Sequence, residues 1–89
     1  NTMSKSYRKH AVERAIGDWE QTDKWFSADA LLPRAIRALP QAHMHMNVYA
    51  VAKALRILES KGALEGRKKN GVKEYRRAGV WDGRSHFHA

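Results

Sequence analysis

From Asn47 onward apolar residues recur every three or four positions, at Val48, Val51, Ala52, Leu55 and Leu58, and the run stops at Gly62. That is the spacing of one helical face. Asparagine is a capping residue type and glycine a common helix stop, so the pattern predicts an amphipathic helix over 47–61. At about 100° per residue, the opposite face carries Tyr49, Lys53, Arg56 and Ser60, with Ala50 and Ile57 beside them. These six include cations and no carboxylate.

Beyond Gly62 the helical period gives way to a hairpin over 63–77. Asn70-Gly71 signals a two-residue type I′ turn, whose central residues both need positive φ. Counting outward pairs Lys69 with Val72, Lys68 with Lys73, Arg67 with Glu74, Gly66 with Tyr75, Glu65 with Arg76, and Leu64 with Arg77. Two opposite-charge pairs then share one face, each worth roughly 0.2–1 kcal/mol. Tyr75 is expected over Gly66, near Leu64, on the face that packs on the domain. Arg67, Lys68, Lys69, Asn70 and Lys73 are expected to project at the tip.

Upstream, Tyr7, Ala11, Val12, Ala15, Ile16 and Trp19 form a stripe that predicts a first helix, capped by Ser4 or Ser6 and ending near Glu20. Arg8, Lys9, Glu13, Arg14 and Asp18 fall on its wet side. Gln21-Thr22-Asp23 reads as a turn and Lys24-Trp25-Phe26 as a short strand beside the hairpin. Ser27 caps a second helix with Leu31, Leu32, Ala35, Ile36 and Leu39 for the core. Pro33 either kinks this helix or marks its first turn, with the true start near Leu32. Pro40 closes it, and Gln41 to His45 form a turn. Trp19, Trp25 and Phe26 read as core residues first and as nucleic-acid stacking platforms second.

Composition narrows the function classes. The 89 residues form one small domain with a formal charge of +8 and a pI near 10.2. Residues 61–77 hold seven basic residues against two acidic, a net +5 in one segment, which makes polyanions the natural partner. Without cysteine there is no thiol nucleophile or zinc-thiolate site. No apolar run has the length of a membrane span or a signal-peptide core, and a cytoplasmic location is expected. No serine-histidine-aspartate order, phosphate loop or paired carboxylate set stands out, so enzymatic activity, a cofactor and a small-molecule ligand are not expected.

The pattern Met46-Asn47-x-x-Ala50-Val51-x-Lys53-x-Leu55-x-x-Leu58-x-x-x-Gly62-x-Leu64 resembles the recognition helix and first wing strand of bacterial winged helix-turn-helix regulators. The resemblance implies an α+β, mainly α, fold: a three-helix core, a short strand and a C-terminal β-hairpin wing. The domain would span residues 4–77, followed by a tail over 78–89 whose Trp81 and Phe87 are apolar enough to dock. It further implies a double-stranded DNA-binding protein, a small transcriptional regulator of bacterial, phage or plasmid type. The recognition helix 47–61 would enter the major groove, and the wing would lie on backbone or minor groove. Carried onto matching positions, Asn47, Tyr49, Ala50, Lys53 and Arg56 face bases or phosphates, and Arg67, Lys68, Lys69, Asn70 and Lys73 are wing contacts. A homodimer through helix 1 or the Trp81/Phe87 tail would suit a palindromic site.

Several residues have a second reading. Lys53 and Arg56 would also serve simply to keep a helix face soluble, Tyr49 either stacks on sugar or phosphate or leans on the core, and Ile57 is expected against the flank of helix 1. His43-x-His45 and His86-x-His88 have chelate-like spacing, but neither pair has clustered carboxylates to complete a metal site, and none is expected. His43 or His45 is better suited to a phosphate contact with mild pH dependence. The alternative function class is a winged-helix protein-interaction module that does not touch DNA.

Overall fold

Ser27 belongs to two elements at once. In the computed structural model, which describes residues 3–19, 24–40 and 45–78, it ends a two-residue strand and begins a helix. Its extended backbone (φ −95°, ψ 168°) and a hydroxyl accepting from the Ala30 amide at 3.1 Å satisfy both roles. The elements run α1 (Met3–Gly17), β1 (Phe26–Ser27), α2 (Ala28–Arg37), α3 (Val48–Ser60), β2 (Leu64–Lys69) and β3 (Val72–Arg77). Three helices thus pack with a three-stranded antiparallel sheet of order β1-β3-β2, an α+β domain.

The hairpin has the register counted from its turn, from Lys69↔Val72 out to Leu64↔Arg77. Asn70 at φ 52° and Gly71 at φ 79° supply the two positive dihedrals. The third strand is displaced from its expected place: Phe26 pairs with Tyr75 and Ser27 with Glu74, leaving Lys24 and Trp25 outside it. Phe26 and its partner Tyr75 are both buried on the core face of the sheet.

α3 matches its pattern closely. Asn47 Oδ1 accepts from the Ala50 amide at 2.9 Å. At the other end Ala63 N donates to Leu58 O and Gly62 N to Glu59 O, both at 3.0 Å, a Schellman stop around Gly62 at φ +80°.

The earlier helices depart from expectation at their ends. α1 begins at Met3, so Ser4 and Ser6 lie inside it, and it ends at Gly17 rather than Glu20. α2 begins right after its expected cap Ser27, which excludes the alternative start near Leu32, runs through Pro33 as its sixth residue, and ends at Arg37, before Pro40; Pro33 supplies no amide for the Asp29 carbonyl. The expected Gln21–Asp23 turn, most of the 41–45 turn and the 79–89 tail with Trp81 and Phe87 lie outside the described residues.

The core is built from Val12 and Ile16 of α1, Leu31 and Ala35 of α2, Val51, Leu55 and Leu58 of α3, and Phe26, Leu64 and Tyr75 of the sheet. Trp19 packs at its edge, 5.2 Å from the Phe26 ring. Four side chains correct the sequence reading, one of them Leu39, which is only half-buried and outside the core cluster. Ile36, one residue and so about 100° past buried Ala35, is 47% exposed. Glu13, assigned to the wet side, is buried near His10, with 3.8 Å between Glu13 Oε1 and His10 Nδ1. Trp25 lies outside the core cluster.

Arg77 joins the sheet to α1. One terminal guanidinium nitrogen donates to the Ile16, Gly17 and Trp19 carbonyls at 2.6, 3.2 and 2.8 Å. The Ile16 carbonyl also accepts from the Trp19 amide at 3.1 Å, whereas the Gly17 and Trp19 carbonyls lie at and just beyond the end of α1, where a cation is favoured by the helix dipole.

Candidate nucleic-acid interface

The face of α3 turned from the core is presented by the burial of the other. Val51, Ala54, Leu55 and Leu58 are buried, and the diametrically opposite stripe of Tyr49, Lys53, Arg56 and Ser60 is exposed. Tyr49 is 81% exposed, so it does not lean on the core. Lys53 and Arg56 have no ion-pair partner among the described residues. Asn47 is exposed but spends its carbonyl oxygen on the cap. Ala50 is half-buried on the flank toward α1, as is Ile57, which lines the groove shared with that helix.

The basic hairpin is less free than its composition suggests. Arg67 Nε lies 2.9 Å from Glu74 Oε1, and Arg76 Nε lies 2.7 Å from Glu65 Oε2. Both guanidiniums also stack on Trp25, at 4.3 Å for Arg67 and 4.6 Å for Arg76. Trp25 is therefore clasped on the outer face of the sheet and is neither a core residue nor an open stacking platform. Lys73 Nζ reaches Glu59 Oε2 at 3.2 Å, and Arg77 is committed to the end of α1.

Two of the cations expected at the tip are accordingly held elsewhere. Arg67 folds back over Trp25, and Lys73 turns to α3 because its position on β3 shares the domain-facing side with Tyr75. Lys68, Lys69 and Asn70 are exposed. Gly66 pairs with Tyr75 as counted, and the atoms nearest to it belong to the Glu59 carboxylate and the Lys73 stem: a Cβ there would meet Glu59 and come within 2.9 Å of Lys73 Cε.

Burial pushes the Tyr75 phenol above its usual value; the Glu59 carboxylate adds to the shift and Arg56 opposes it.

A groove of about 680 Å³ separates the start of α1 from α3, lined by Tyr7, Arg8 and Lys9 on one wall and by Tyr49, Ala50, Lys53 and Ile57 on the other. Among the described residues no carboxylate lines it. The hydrophobic stripe had flagged Tyr7 only as a core residue, and Arg8 and Lys9 only as solvated cations. The missing signal was tertiary, since the helical pattern does not say which α3 flank α1 would meet.

His45 is exposed, and its backbone carbonyl accepts from Arg8 Nε at 3.2 Å. His43, His86 and His88 lie outside the described residues. Among the described residues no group of three or more histidine, cysteine, aspartate or glutamate residues is placed to hold a metal, and no helix is long and apolar enough to cross a membrane. Compared with protein-family models, curated proteins and solved structures, the chain has no match.

Proposed function

We propose that this domain is a double-stranded DNA-binding protein of winged-helix type, a small transcriptional regulator acting at the nucleoid in the cytoplasm. One observation carries the reading: the solvent face of α3 presents Tyr49, Lys53 and Arg56 with no carboxylate, opposite a fully buried apolar stripe. In this reading α3 is the recognition helix in the major groove. Lys68, Lys69 and Asn70 at the hairpin tip touch the backbone or minor groove. Phosphate contacts supply most of the affinity and its salt dependence, and Lys53 and Arg56 discriminate bases.

A second reading, a protein-interaction module, draws on Tyr49 standing 81% exposed beside the partly apolar groove wall of Ala50 and Ile57, the kind of aromatic anchor that partner proteins bury. A gel shift with random duplex at low salt separates the two. Retarded duplex at micromolar protein is expected; free duplex throughout favours the interaction module. Selection of bound duplexes from a random pool then reads specificity and symmetry together, with a palindromic consensus indicating a dimer on two half-sites.

A further inference from the structure

Tyr7, Arg8 and Lys9 have no part in the surface proposed above, yet they border it. The α3 stripe has two flanks. On one, Glu59 reaches across to Lys73 and so to the hairpin. On the other, about half a turn around the helix, Ala50 and Ile57 form a groove with the first turns of α1. The solvent face of α3 therefore lies between the hairpin on one side and Tyr7, Arg8 and Lys9 on the other.

We infer that this α1–α3 groove is a phosphate clamp, in which Arg8, supported by Tyr7 and Lys9, grips the sugar-phosphate strand on the side of the major groove opposite the hairpin. The inference rests on the DNA reading of α3. A duplex that receives α3 in its major groove, about 12 Å wide, presents one backbone strand along each edge. The hairpin tip addresses one strand. The other falls on the α1 side, where Arg8 stands on the groove wall and, among the described residues, no acid lines it.

Arg8 is prepared for that contact. Its Nε is tied to the His45 carbonyl at 3.2 Å, and its guanidinium carbon lies 5.6 Å from the centre of the Tyr7 ring. That hydrogen bond uses one of five N–H donors and leaves the two terminal nitrogens as a planar fork, the geometry that pairs with phosphate oxygens. Among the described residues no carboxylate engages it, in contrast to Arg67 and Arg76, whose Nε atoms meet Glu74 and Glu65. Holding the side chain in place before binding lowers the ordering cost of the contact.

The test is fluorescence anisotropy with a duplex across a salt titration, on the parent protein and on Arg8→Ala, Arg8→Lys and Lys53→Ala, with circular dichroism to confirm that each is folded. Arg8→Ala is expected to bind about five- to tenfold more weakly and to lose about one unit of the slope of log K against log salt. Arg8→Lys keeps the slope with intermediate affinity, because it retains the charge but not the fork. A scan of single neutral methylphosphonate linkages, using the parent protein alone, should find sensitive phosphates on both strands flanking the recognised groove. If Arg8→Ala matches the parent in affinity and slope while Lys53→Ala loses affinity, or if the sensitive phosphates lie only on one side of that groove, the clamp is wrong and the DNA reading stands. If the parent binds no duplex, both fall together.

Discussion

The carboxylate of Glu59, near the end of α3, sits 3.2 Å from the ammonium of Lys73 on β3 and directly over Gly66. This pair decides how much of the hairpin's positive charge is available, and it has room only because residue 66 has no side chain. Gly66→Ala would push the new Cβ into the Glu59 carboxylate and the Lys73 stem, both flexible ends that can move aside. The ion pair is lost, at a cost of about 1 kcal/mol or less for a half-exposed pair, and a strand alanine recovers part of it. Thermal unfolding should therefore change little. Duplex affinity should rise, with a salt slope steeper by about one, because Lys73 is released. An unchanged slope in Gly66→Ala would show that Lys73 is already available in the parent.

The hairpin cations divide into held and free. Neutralising Lys68 and Lys69 together should weaken binding to all duplexes alike and flatten the salt slope, whereas Arg67→Ala should leave both nearly unchanged because Arg67 is held by Glu74 and Trp25. Replacing Lys53 or Arg56 should instead relax preference at one base pair by about 1–3 kcal/mol if the side chain reads guanine. A double lysine variant that bound like the parent at every salt concentration would remove the hairpin from the interface.

Arg77 links the last strand to the end of the first helix through three carbonyls. Arg77→Ala leaves these acceptors in a partly buried place without their charged donor and should cost about 2–3 kcal/mol in urea unfolding. Arg77→Lys should recover only part of that, since the shorter side chain does not carry its ammonium as far as the guanidinium nitrogen that makes all three contacts. A loss below about 0.5 kcal/mol in the alanine variant would mean that water replaces the guanidinium there.

Tyr75 makes stability fall in alkali. Its phenol titrates above the usual 10.0 when folded, chiefly because it is buried. At pH below 10 both folded and unfolded chains keep the proton. As pH rises past 10 the unfolded chain releases it first, so the folded state loses stability until the folded phenol also titrates. Urea midpoints measured from pH 8 to pH 11 should decline for the parent and decline less for Tyr75→Phe. Equal declines would assign the alkaline loss to other groups.

Some of this was legible without coordinates, and the boundary is one of sequence distance. The capping of α3 by Asn47, its Schellman stop at Gly62 and every pair of the β2–β3 register follow from local rules: a 3.6-residue period, a turn that needs two positive φ angles, and counting. The register even set Arg67 opposite Glu74. It could not reveal Trp25, 42 residues before Arg67, on which Arg67 and Arg76 close, nor Glu59 over Gly66. Charge along a chain counts cations but does not say which of them meet a carboxylate, a ring or a carbonyl once the helices pack. By itself the sequence determined a cationic helix face and a hairpin with a known register. Only the tertiary structure decided that Arg67, Lys73, Arg76 and Arg77 are engaged within the domain, that Lys53, Arg56, Lys68 and Lys69 face solvent, and that Arg8 stands beside α3, because ion pairing depends on distances of a few ångströms between residues far apart in the chain.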